Sequence, residues 1–104
     1  MKSRRELLEE FLAQDPDDSF SRYALALELE KEGDPDRALS ELAEVIARNP
    51  NYVGAYYHLG RLLSKAGRTD EARAIYERGL GVAASSDDRR TRSELQEALD
   101  ELES

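Results

Sequence analysis

Residues 17–50 and 51–84 of this chain align with each other without a gap, at a shift of 34 residues. Tyr23 falls on Tyr57, Leu25 on Leu59, Leu29 on Leu63, Lys31 on Lys65, Gly33 on Gly67, Asp36 on Asp70 and Ala38 on Ala72. Small meets small where Ala26 falls on Gly60, and large apolar residues meet where Leu42 falls on Tyr76 and Ile46 on Leu80. A fixed period of this length belongs to stacked supersecondary units, each too small to bury its own apolar face alone.

The pattern within each unit is helical. Leu7, Leu8, Phe11 and Leu12 form a stripe at helical spacing, and Ser3 with Glu6 fits a capping box, so the first helix is predicted from about Lys2 to Gln14. Asp15-Pro16-Asp17 breaks it. The second helix, from about Asp18 to Glu32, carries Leu25, Ala26 and Leu29 on one face and stops at Gly33. Asp34-Pro35 opens the third as an N-cap followed by a first-turn proline, with Ala38, Leu42, Val45 and Ile46 as its core stripe. Asn49-Pro50 ends it. The fourth repeats the second with Tyr56, Leu59, Gly60 and Leu63, and ends at Gly67. Thr69 is predicted to cap the fifth, whose stripe is Ala72, Ile75, Tyr76 and Leu80, and 81–86 is predicted as a looser segment. The last helix, about Asp87 to Glu103, has one stripe at Leu95, Ala98, Leu99 and Leu102. No segment alternates with a strand period.

The first helix belongs to the repeat as well. At the same shift Leu8 meets Leu42, Phe11 meets Val45, Leu12 meets Ile46 and Pro16 meets Pro50. The single predicted domain, 1–104, therefore comprises a half-unit helix (2–16), two whole units (17–50 and 51–84) and a closing helix (87–103), six helices in all.

Composition narrows the function. A net charge of −8 argues against duplex DNA or an anionic membrane as the main partner, since phosphates repel such a surface. There is no cysteine, hence no disulfide or thiolate site. Met1-Lys2-Ser3-Arg4-Arg5-Glu6 leads into a charged amphipathic stretch, unlike a secretory signal, and no apolar run is long enough to cross a bilayer, so a soluble cytoplasmic protein is expected. Three lysines stand against twelve arginines, a bias that fits a GC-rich genome or adaptation to high salt.

The repeat resembles the tetratricopeptide repeat (TPR) family. The second unit carries the resemblance at Tyr56, Leu59, Gly60, Leu63, Ala72, Tyr76 and Ala84, and the first at Arg22, Leu25, Ala26, Leu29, Ala38, Leu42 and Pro50. The resemblance covers about residues 4–84 and implies an all-α fold: a right-handed superhelical stack of antiparallel helix pairs, an α-solenoid. It departs from the family at Arg22, where a large aromatic is usual, so the first unit is expected to pack less tightly there. Gly79 replaces the residue matching Val45, and Ala84 the proline. Both are expected to weaken the end of the second unit and leave the closing helix mobile or exchangeable between chains.

The resemblance also implies where partners bind. The first helix of each unit turns one face to the concave side of the stack, where family members take extended peptides or helices. At about 100° per residue, Phe20, Tyr23, Leu27, Glu30 and Lys31 lie opposite the core stripe of the second helix. Tyr57, His58, Arg61, Ser64 and Lys65 hold the equivalent face of the fourth. The partner-binding set is thus Phe20, Tyr23, Leu27, Tyr57, His58, Arg61 and Lys65. Packing of Phe20, Tyr23 and Leu27 against the first helix is an equal alternative, because apolar stripes at helical spacing are usually core. Tyr and Arg concentrate binding energy at interfaces, which favours the partner reading for Tyr57 and Arg61. The lysine and asparagine clamp with which some family members hold a C-terminal carboxylate is absent as a set, so chaperone C-termini are not predicted ligands. Arg61 and Lys65, one turn apart, would attract an acidic segment.

No chemistry is predicted. A lone histidine, His58, makes neither a metal site nor a catalytic base without partners. The acidic series Glu28, Glu30, Glu32, Asp34 and Asp36 lacks the loop spacing and glycine of a calcium site and reads as a solvated helix face. The expectation is a non-catalytic, cofactor-free protein-interaction scaffold without nucleic-acid or membrane partners. The alternative is a module that self-associates through exposed terminal helices, because the first helix lacks the partner a full unit would supply.

Overall fold

The computed structural model describes all 104 residues as six helices and no strand. They are α1 (Arg4–Gln14), α2 (Ser19–Lys31), α3 (Pro35–Arg48), α4 (Gly54–Lys65), α5 (Thr69–Ser85) and α6 (Arg89–Glu103). The chain divides into two compact units, Met1–Asn49 with α1 to α3 and Pro50–Ser104 with α4 to α6.

In the first unit α2 packs on both α1 and α3. Its core is apolar: Leu8 and Leu12 of α1, Leu25, Ala26 and Leu29 of α2, and Ala38, Leu42, Val45 and Ile46 of α3 are buried. The Ser3 capping box is formed in both directions, and it sets the start of α1 at Arg4 rather than Lys2. Asp18 and Asp34 cap α2 and α3, accepting from the backbone N–H of Ser21 and Arg37. Arg22, expected to leave slack packing, fills its site with charge instead. Its guanidinium bonds Glu41 at 2.7 Å and the Pro16 carbonyl at 2.9 Å. Two members of the acidic series tie α2 to α1, where Glu28 meets Arg4 at 3.2 Å and Glu32 meets Arg5 at 3.1 Å.

In the second unit α5 packs on α4 and α6, and α4 also reaches α6. Tyr56, Leu59, Leu62 and Leu63 of α4, Ala72, Tyr76 and Ala83 of α5 and Leu95 of α6 are buried. Three expectations are overturned here. Thr69 does not cap α5: it is the first helical residue, and the cap position belongs to Arg68, which makes no side-chain cap bond. The repeat register explains this, since Thr69 aligns with Pro35 and Arg68 with the true cap Asp34. The segment 81–86 is not loose, because α5 continues through Ser85. Ala84 stands where Pro50 ends the earlier unit, and alanines prolong a helix that proline would stop. Gly79 likewise tightens the unit instead of weakening it. A Cβ there would lie 2.7 Å from the Tyr56 Cβ and 3.0 Å from the Leu95 Cδ1, so its absence lets α4 and α6 approach α5.

Three helices end with the same left-handed turn. Gly33 (φ 84°) and Gly67 (φ 78°) adopt it after α2 and α4, and Asp87 (φ 56°) after α5. The next residue's N–H then donates back to Leu29, Leu63 and Ala83 respectively, each at 2.9 Å.

Candidate functional site

The second unit carries an open groove along the exposed side of α4 and the adjoining side of α6. One compartment, of 340 Å³, is lined on α4 by Tyr57, Arg61, Ser64 and Lys65, at its base by Tyr76, and on α6 by Ala98, Glu101 and Leu102. A second compartment, of 230 Å³, shares Tyr57, Ala98 and Glu101 and adds Glu94 and Glu97.

The local sequence explains this arrangement. Gly60 presents only hydrogen toward α5, and a Cβ there would collide with the Tyr76 ring. The absent side chain leaves room for a tyrosine at position 76, whose side chain crosses the helix interface and reaches the groove. Tyr76 is only 3% exposed. Its phenol is pushed above its ordinary range, by burial first and then by Tyr57 and Glu101, while Arg61 acts in the opposite direction. On α6, Glu94, Glu97 and Glu101 recur at i, i+3 and i+7, so they share one face beside the buried Leu95.

The structure brings three of the seven sequence-derived residues into this groove: Tyr57, Arg61 and Lys65. Tyr57 and Arg61 are half-buried, and Lys65 is exposed. His58 stands beside Tyr57, their rings edge-on with centroids 5.3 Å apart. Phe20, Tyr23 and Leu27 lie on α2 in the other unit. Phe20 is 64% exposed, while Tyr23 and Leu27 are half-buried. Sequence reasoning did not assign Tyr76, Glu94, Glu97 or Glu101 to the site. The glutamate spacing on the last helix was visible, but nothing in it showed which helix α6 would face.

These hairpins define a helical-repeat protein. The tetratricopeptide repeat family model matches residues 29–90, and a TPR repeat-containing protein of Pseudomonas aeruginosa is 31% identical over 96 residues, covering 92% of this chain and 91% of its own. The chain belongs to the tetratricopeptide repeat family. Among solved structures, a TPR domain protein of Salinibacter ruber superposes with a TM-score of 0.81 at 44% identity, over 86% of this chain and 90% of that one. A protein of Bordetella parapertussis superposes with a TM-score of 0.82 at 33% identity, over 98% of this chain and 89% of its own. No helix is long and apolar enough to cross a membrane.

Proposed function

We propose that this chain is a cytoplasmic, non-catalytic interaction module that binds a peptide or helix of a partner protein along the exposed faces of its repeat helices. On this reading a half-unit, two repeats and a closing helix serve as one interaction domain. Proteins of this fold generally mediate protein–protein contacts. The observation that carries the reading is the α4–α6 groove, where a half-buried tyrosine and arginine line an open channel. Tyrosine and arginine are among the residues in which binding energy concentrates at interfaces. The exposed Phe20, with Tyr23, Leu27 and His58, supplies further contact surface.

The test is affinity capture from cell lysate with the wild type and a Tyr57→Ala/Ala98→Arg variant. The tyrosine anchor is then removed and an arginine fills the groove whatever the ligand's charge. Circular dichroism and Tm first establish that both fold. A protein retained by the wild type and lost by the variant supports the groove. Identical captures would move the working surface elsewhere.

One observation favours self-association as a second reading: Leu7 and Phe11, a turn apart on α1, are 41% and 50% exposed. A monomer mass that stays constant in sedimentation from micromolar to millimolar protein would end it.

A further inference from the structure

The groove contains a polar group that the fold does not need. Tyr76 is buried, yet its side chain lines the groove and its hydroxyl makes no hydrogen bond within the chain. One repeat earlier the equivalent residue is Leu42, fully buried, so an aliphatic side chain suffices for packing at this position. A hydroxyl held at the base of an open channel is a hydrogen-bonding group available to a ligand.

The charge of the groove says what ligand. Arg61 and Lys65 taken alone pointed to an acidic segment. The structure sets Glu94, Glu97 and Glu101 along the α6 wall: the smaller compartment is lined by these three with Tyr57 and Ala98 and has no basic residue, while Arg61 and Lys65 line only the larger one, with Tyr76 and Glu101. Their internal neutralisation is weak: Glu94 meets Arg90 only at 3.9 Å, with the Arg90 side chain 93% exposed. The net charge of −8 adds a field of the same sign.

We propose that the α4–α6 groove recognises a partner segment through one basic side chain, arginine or lysine. Its stem lies on the Tyr57 ring, its charged head sits among Glu94, Glu97 and Glu101, and the segment hydrogen-bonds the Tyr76 hydroxyl. This rests on the interaction-module reading and specifies its ligand. The pieces act together. An aromatic face attracts a cation and covers its aliphatic stem. Carboxylates give charge-assisted bonds to the head. The phenol fixes the depth to which the segment enters.

The experiment is an NMR titration of the full chain with three end-capped pentapeptides, Ala-Leu-X-Leu-Ala with X as arginine, glutamine or glutamate. Shifts at Tyr57, Tyr76 and the α6 amides are followed. The arginine peptide is expected to bind about tenfold more tightly than the glutamine peptide, the worth of one good charge-assisted contact. The glutamate peptide is expected to bind weakest. A Glu94→Gln/Glu97→Gln/Glu101→Gln variant should remove most of the preference while leaving the glutamine peptide's affinity unchanged. Tyr76→Phe should weaken all three without lowering Tm. The inference is overturned if the glutamate peptide binds as well as the arginine peptide, or if the preference survives in the glutamine variant. Groove shifts with no preference would sink the basic-ligand inference and leave the interaction reading standing. Absence of groove shifts with every peptide would also sink it, and the capture experiment then decides the interaction reading separately.

Discussion

Residues 17–50 and 51–84 anchor their first helices to the same point of the preceding turn by different chemistry. In the earlier repeat the Arg22 guanidinium donates to the Pro16 carbonyl at 2.9 Å, and in the later one the Tyr56 hydroxyl donates to the Pro50 carbonyl at 2.6 Å. Donor and acceptor each lie 34 residues from their counterparts. The neighbours have changed to suit. Arg22 takes its counter-charge from Glu41, whose equivalent beside the neutral tyrosine is Ile75. Val45 has become Gly79, against which the Tyr56 Cβ packs. Ala26 and Leu42 have become Gly60 and Tyr76, volume moving from one helix to the other. A repeat conserves the filled space and the satisfied carbonyl, and individual residues follow in pairs.

The strongest way to break this comparison is Gly60→Ala, which writes the first repeat's residue into the second. The added methyl meets the Tyr76 ring, so a loss of about 1–3 kcal/mol in urea unfolding is expected. Adding Tyr76→Leu should recover most of it, since the pair then matches Ala26 and Leu42. Additive losses would show that the two positions do not compensate each other.

The next effect is electrostatic. Glu41→Ala leaves the Arg22 guanidinium, 13% exposed, without its carboxylate, and about 1–2 kcal/mol should be lost. Adding Arg22→Met should restore part of it, because an apolar chain tolerates the site that an unpaired charge does not. Unfolding of the single and double variants measures both steps.

A smaller difference lies at the caps. Asp34 caps α3 through its side chain, whereas Arg68 at the equivalent place of α5 does not. Asp34→Ala should cost about 1 kcal/mol, and Arg68→Ala under about 0.5 kcal/mol, the range of ordinary surface changes. Equal costs would remove the distinction between the two repeats at this position.

The smallest effect is a pH dependence confined to capped helices. The Ser21 hydroxyl and N–H hold the Asp18 carboxyl below its ordinary value, while α4 has no side-chain cap. A carboxyl lowered in the folded state stabilises above its unfolded value of about 4, and that contribution is lost as pH falls through the folded value. Asp18→Asn keeps an acceptor but cannot titrate. The Tm advantage of wild type over this variant should therefore be present at neutral pH and close as the solution is acidified. A constant gap would mean that the carboxylate's charge is not what the cap contributes.

Most of the fold was legible because its determinants are local. The stripes, the glycines at 33 and 67 and the Asp34-Pro35 start each act within a few residues. What escaped depends on distant groups. Gly79 reads as a helix weakener until Tyr56 and Leu95 are seen against it. Arg22 reads as a misfit until Glu41 and the Pro16 carbonyl are found within reach. The turn after α5 uses Asp87 where its predecessors use glycine, so it left no repeat mark. The candidate groove was partly legible for the same reason: the face of α4 follows from helical period, but the α6 wall follows from packing alone.

The paired exchanges between the repeats bear on how such a protein changes over generations. In this chain the residues that differ between the repeats stand in contact with one another: Gly79 lies against Tyr56 and Leu95, and Arg22 is paired with Glu41. A residue transplanted alone from one copy to the other would arrive without its complement.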